Sequence, residues 1–110
     1  MINEEPLPAP IDWVMPEYNS ISIDAAQCPV CRDVIISRRR HDFHECGCGA
    51  IAIDGGQEYL RLLWNEPSRP IHVTLVVDSL DEVRASPGVW AADSTDPRRY
   101  RLTGGKLVPE

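Results

Sequence analysis

Cys28-Pro29-Val30-Cys31 and Cys46-Gly47-Cys48 hold every cysteine of the chain, and 14 residues separate the two groups. No other feature constrains the fold as strongly, because four thiols on two short loops must be cross-linked, react, or share an ion. A disulfide framework belongs to oxidising compartments. The opening residues, MINEEPLPAP, are acidic and proline-rich where an export signal is basic and then apolar. No apolar run approaches the roughly 18 to 20 residues that cross a bilayer. The expectation is a cytoplasmic chain with reduced thiols and no membrane association. A redox CxxC sets its first cysteine at a helix N-terminus, whereas here Pro29 and the β-branched Asp33-Val34-Ile35-Ile36-Ser37 follow.

Metal coordination is the remaining chemistry. Zinc takes four soft or borderline ligands in a tetrahedron, and two loops brought together by a hairpin can supply four thiolates. Two ligands one residue apart on a regular strand would face opposite ways, so Gly47 and Gly49 are needed to fold the second loop around its sulfurs. Cys28, Cys31, Cys46 and Cys48 are therefore the expected ligands of a structural zinc ion, although CxC departs from the usual CxxC of a second loop. His41 and His44 lie in the same segment, and imidazole also binds zinc. Four thiolates leave no vacancy, so both histidines are assigned structural or surface roles. Zinc catalysis, which requires three protein ligands and an open position, is not expected. A structural zinc contributes on the order of 10 kcal/mol to a small domain, so residues 28–64 should be unfolded without it.

A length of 110 residues suits one domain that hides about two thirds of its unfolded surface. The 43% hydrophobic and 25% charged composition is that of an ordinary globular chain. The net charge of −6 is uneven: residues 1–27 carry five acids and no lysine or arginine, whereas residues 28–64 balance. A chain working mainly by neutralising phosphates would show a basic excess instead.

Residues 1–27 are expected to form an extended, proline-rich acidic arm. Pro6, Pro8, Pro10 and Pro16 exclude a helix, and Ile11, Trp13, Val14 and Met15 form an apolar knot. Trp13 is a candidate anchor on the body or on a partner. Residues 28–64 are expected to form a zinc-ribbon-like module with strands at Asp33–Ser37, Ala50–Ile53 and Glu58–Trp64, the last two joined by an Asp54-Gly55-Gly56 turn. Leu60, Leu62 and Trp64 share one face. After the proline-bracketed linker Asn65–Pro70 comes a β-rich unit, residues 65–110. It contains a strong strand at Ile71–Val77 and a capping box, Ser79-x-x-Glu82, opening a short helix over Leu80–Ala85. Strands follow at Val89–Ala92, Arg99–Leu102 and Lys106–Val108, joined by Asp96-Pro97 and Gly104-Gly105. The expected class is small α+β, mostly antiparallel β: a zinc-ribbon-like hairpin and a second β-rich unit with one short helix, packed as one domain.

CPVC, HDFHECGCGA and IDGGQEYLR together resemble a family of small uncharacterised zinc-ribbon-like proteins encoded by bacteriophages and bacteria. The likeness runs from Cys28 to about Leu62 and is carried by His41-Asp42-Phe43, Cys46, Cys48-Gly49-Ala50, Asp54-Gly55-Gly56 and Tyr59-x-Arg61. Arg32 stands where such ribbons commonly have glycine. The resemblance implies the four-cysteine site and a phage or prophage origin, and it brings no activity with it.

No serine, cysteine or histidine constellation pairs a nucleophile with a base, and no glycine-rich loop precedes a helix, so an enzyme is not expected. The favoured role is a non-catalytic protein-interaction module, directed at a host factor if phage-encoded, with Trp13, Trp64 and Trp90 as candidate anchors. The alternative is a nucleic-acid-binding ribbon using Arg38, Arg39, Arg40 and His41 at the hairpin tip, with Arg98, Arg99 and Arg101 beside it.

Overall fold

The computed structural model describes residues 3–6, 14–15, 20–39, 41–55 and 60–110. Among the described residues, segments rich in β-branched residues, punctuated by glycine, proline and aspartate, fold into eleven strands. They are β1 (Asn3–Pro6), β2 (Val14–Met15), β3 (Ser20–Gln27), β4 (Val34–Ile35), β5 (His44–Glu45), β6 (Ile51–Asp54), β7 (Arg61–Trp64), β8 (Ile71–Val77), β9 (Val89–Trp90), β10 (Arg99–Thr103) and β11 (Lys106–Pro109). One helix, α1 (Leu80–Ala85), lies between β8 and β9. A four-stranded sheet has the order β1-β7-β6-β5; a seven-stranded sheet has the order β11-β10-β8-β3-β4-β9, with β2 also paired to β3. Every pairing is antiparallel except that of β8 with β10.

The expected α+β class is therefore corrected: the molecule is mostly β, with two sheets and, among the described residues, a single helix of six residues. Ser79 caps the helix as expected, its Oγ accepting from Glu82 N–H at 3.3 Å. Ser86 then closes the helix on Val83 O, and Pro87 follows. So short a helix buries Val83 alone and forms no layer of its own. The Gly104-Gly105 turn also forms as read, with φ of +58° and +80° between β10 and β11.

Expected to end an extended arm, Ser20–Gln27 is instead the strand β3. It pairs with β8 from Ile21↔Val77 to Gln27↔Ile71. On one face Ile23 and Ala25 join Val73, Leu75, Val77, Tyr100 and Leu102 beneath Val83 of α1. On the other, Ala26 and Ile35 pack against Ile51, Ile53, Leu60, Leu62 and Trp64 of the smaller sheet. The larger sheet thus has a core on both sides, and β3 contributes to each. The predicted alternation in Leu60, Leu62 and Trp64 is borne out, as all three are buried while Arg61 is exposed. Ile11, Trp13, Arg40, Gly56, Glu58 and Tyr59 lie outside the described residues.

Candidate metal centre

β3 runs directly into Cys28, and the chain turns back as β4. The turn is held by Arg32 N–H donating to Cys28 O and Cys28 N–H donating to Asp33 O, both at 2.9 Å. The N–H groups of Val30 and Cys31 point at Cys28 Sγ, at 3.3 and 3.4 Å. Arg32 adopts φ +68°, the left-handed conformation that the glycine of similar ribbons supplies freely. Its neighbours offset the strain: Gln27 Nε2 donates to Arg32 O at 2.9 Å, and Arg32 Nη1 donates to Asp93 O at 2.6 Å. Gln27 is fully buried and also donates to Ser94 O at 2.9 Å, tying the turn to the segment after β9.

The second loop joins β5 to β6. Cys46 N–H donates to Ile51 O at 3.2 Å and Gly49 N–H to Cys46 O at 3.1 Å, with Gly49 at φ +77°. Asp33 straps the two loops together, its Oδ2 accepting from Gly47 N–H at 2.8 Å. A Cβ at position 47 would stand 2.7 Å from that oxygen, so a larger residue there would displace the Asp33 carboxylate.

The four sulfurs lie within 4.8 Å of one another. Cys48 Sγ is 3.6 Å from both Cys28 Sγ and Cys46 Sγ, and all four cysteines are free. A disulfide requires about 2.05 Å. Sulfurs on a tetrahedral zinc with bonds of about 2.3 Å sit about 3.8 Å apart, so the spacing fits a shared ion. Burial pushes the Cys28 thiol up to about 12, opposed in part by the N–H groups of Cys31 and Val30. A thiolate there at neutral pH therefore calls for a cation among the sulfurs. Cys28 and Cys46 are buried, Cys31 is half-buried and Cys48 is exposed, so the cluster opens to solvent on one side. Since β3 and β4 belong to the larger sheet and β5 and β6 to the smaller, the cluster lies where the two sheets meet, and an ion on all four sulfurs would tie them together.

Neither nearby histidine joins the cluster. His41 is exposed at φ +65°, and the His44 ring packs against Gly88, where an added Cβ would come 2.7 Å from Cε1. Of the arginine run, Arg38 is committed internally: Nε and Nη2 donate to the two Asp42 oxygens at 2.9 and 3.3 Å, and Nη1 to Ser86 O at 3.1 Å. Arg39 is exposed, and its side chain has no partner among the described residues. The sequence did not mark Asp33 or Gln27, and it marked Asp42 only within His41-Asp42-Phe43; their roles depend on groups that only folding brings near. Replacing Asp33 with alanine should weaken zinc binding about 10- to 100-fold, measured by chelator competition. Asp33→Asn keeps an acceptor for Gly47 N–H and should lose less.

A titratable pair lies on the larger sheet, with His72 Nε2 2.6 Å from Asp24 Oδ1. The hydrogen bond to Asp24 raises the His72 pKa above its ordinary 6.5 against the opposing effect of burial. The pair thus stabilises the fold fully below the unfolded pKa and ceases to do so as pH rises through the folded value. Because His72 is half exposed, the effect is worth under about 1 kcal/mol. NMR titration of the His72 ring should give a midpoint above 6.5, and Asp24→Asn should return it towards that value.

No helix among the described residues is long and apolar enough to cross a membrane. No curated protein and no solved structure matches the chain. Residues 20–64 do match a family described as Domain of unknown function (DUF7695). The match begins with β3 and ends with β7, and so takes in both cysteine loops together with the strands that carry them; over that span the chain is similar to an uncharacterised domain family.

Proposed function

We propose that Cys28, Cys31, Cys46 and Cys48 hold one structural zinc ion, and that the protein is a non-catalytic, zinc-ribbon-like module that binds another protein. The observation carrying this is the closed set of four sulfurs within 4.8 Å at the junction of two sheets. Four thiolates complete a tetrahedron and leave no position for a substrate. The ion would supply charge neutralisation and a cross-link. The N–H groups of Val30 and Cys31 would orient Cys28 Sγ towards it, and Asp33, through Gly47 N–H, would hold the second loop in place. Reduced thiols suit the cytoplasm, and the phage resemblance points to a host protein as the partner.

Support for a protein partner comes from two of the three large apolar side chains left in water among the described residues, Val30 at 63% exposure in the first loop and Phe43 at 52% just before β5; the third, Val108, lies on β11. Of the tryptophan anchors expected from the sequence, Trp64 is core and Trp90 is half-buried with Nε1 donating to Gly105 O at 3.1 Å, while Trp13 lies outside the described residues. Affinity capture with the wild-type chain and with a Val30→Ser/Phe43→Ala variant tests this. One stoichiometric protein retained by the first and lost by the second is expected; equal capture by both would refute the role of this surface.

A nucleic-acid reading draws on Arg39, His41 and Phe43, which are exposed in one loop. Basic and aromatic groups side by side suit phosphate contact with base stacking. Arg38 is unavailable to it, being occupied by Asp42 and Ser86. Binding of a single-stranded oligonucleotide that weakens steeply with salt and is lost in Arg39→Gln would favour this reading over the first.

A further inference from the structure

On the face of the larger sheet opposite α1, β10 presents Arg99 and Arg101, since strand residues two apart share a side. The two guanidinium groups repel each other unless an anion lies between them. Glu110 supplies one: Arg99 Nε donates to its Oε1 at 2.8 Å and Arg101 Nε to its Oε2 at 3.1 Å. The Glu110 backbone N–H also donates to Arg99 O at 3.0 Å. The hydrogen bond from Arg99 first, and then that from Arg101, holds the Glu110 carboxyl below its ordinary range.

The donors exceed what one carboxylate uses. The Nη groups of Arg99 have no partner among the described residues, and Arg101 Nη1 reaches Asp78 only at 3.4 Å. Thr74, the register partner of Arg99 on β8, brings a hydroxyl to the same face. Both arginines are open to solvent, with side chains 54% and 39% exposed. Two adjacent forks with spare donors match an anion with two charges and three free oxygens better than a second carboxylate. A phosphate monoester has that form, whereas a phosphodiester carries one charge.

We propose that Arg99 and Arg101 form a phosphate-monoester binding site in which Glu110 is the built-in competitor. The site shares no residue with the cysteine cluster, because β10 carries no cysteine and does not pair with the strands bearing the second cysteine loop. As a tethered occupant, Glu110 competes at an effective concentration in the millimolar range, so the wild-type chain binds phosphate only weakly.

Inorganic phosphate is the probe, titrated into the full zinc-loaded chain at mildly alkaline pH and constant ionic strength. The Nε–Hε resonances of Arg99 and Arg101 are followed by NMR. Glu110→Gln removes the competing charge while keeping the backbone bond to Arg99 O, and should tighten phosphate binding about tenfold. Adding Arg99→Gln to that variant should abolish it. Arg99→Gln alone, which needs no change at Glu110, should remove the weak wild-type response. Unchanged affinity in Glu110→Gln, or binding that survives Arg99→Gln, would overturn the proposal. So would a thymidine oligonucleotide lacking terminal phosphates that binds these arginines more tightly than inorganic phosphate, since that would make the site one for a nucleic-acid backbone.

Discussion

Chelating zinc from the purified protein is expected to unfold both sheets in one transition. Structural zinc contributes on the order of 10 kcal/mol, and the net stability of a domain this size is about 5 to 15 kcal/mol, so the metal-free chain should lie at or below the folding threshold. The sequence alone would confine that loss to residues 28–64. The structure extends it, because β3 enters Cys28 directly and is also the seven-residue partner of β8. Releasing the first loop frees the end of the strand that lines both cores, and releasing the second detaches the smaller sheet. Far-ultraviolet circular dichroism and the fluorescence of Trp64, which is buried in the same cluster as Cys28 and Cys46, should change together on chelator addition and recover with zinc. Cys46→Ser should have the same effect without chelator. A chelated chain that lost the Trp64 signal but kept protected amides across β8 and β10 would show that the sheets unfold separately.

Gly88→Ala should give the next largest loss, about 2 to 4 kcal/mol, in the presence of saturating zinc. Gly88 is buried at φ +80°, and its carbonyl accepts from Ile36 N–H at 3.0 Å. An L-residue in that conformation costs about 1 to 2 kcal/mol by itself. Here the added Cβ would also stand 2.7 Å from His44 Cε1, 3.0 Å from His44 Nδ1 and 3.2 Å from Arg38 Nε. It would push on the edge strand β5 and on the arginine that closes the loop through Asp42. Gly105→Ala is the matched control: φ is also +80°, but nothing lies within 4 Å of the new Cβ, so only the backbone cost of about 1 to 2 kcal/mol should appear. Urea midpoints of the two variants measure the difference, and equal losses would mean that the contacts with His44 and Arg38 carry no weight.

What the sequence disclosed and what it hid follow from the range of the interactions involved. The cysteine cluster was legible because ligand chemistry is written in residue type and spacing. β8, the Ser79 cap and the Gly104-Gly105 turn were legible because each is decided by a few adjacent residues. β3 was hidden: Ser20–Gln27 carries Asp24, two alanines and a glutamine behind a proline-rich acidic lead, and its strand character comes from pairing with β8, nearly fifty residues later. β4 and β9 were legible as the strands Asp33–Ser37 and Val89–Ala92 but are only two residues long, β4 pairing with β3 and with β9. The expected α+β class failed for the same reason, since distant pairing gathered the strands into two sheets and left α1 as a connector. Arg38 looked like a free phosphate ligand until the loop closed on Asp42, and Asp33 was silent because Gly47 lies in the other cysteine loop.

Native mass spectrometry of the intact protein, paired with alkylation of the unfolded chain, addresses the zinc cross-link most directly. The account predicts one zinc per chain on the folded form and four alkylated cysteines after metal removal. A folded, metal-free chain, or one with Cys28, Cys31, Cys46 or Cys48 joined in disulfides, would contradict it.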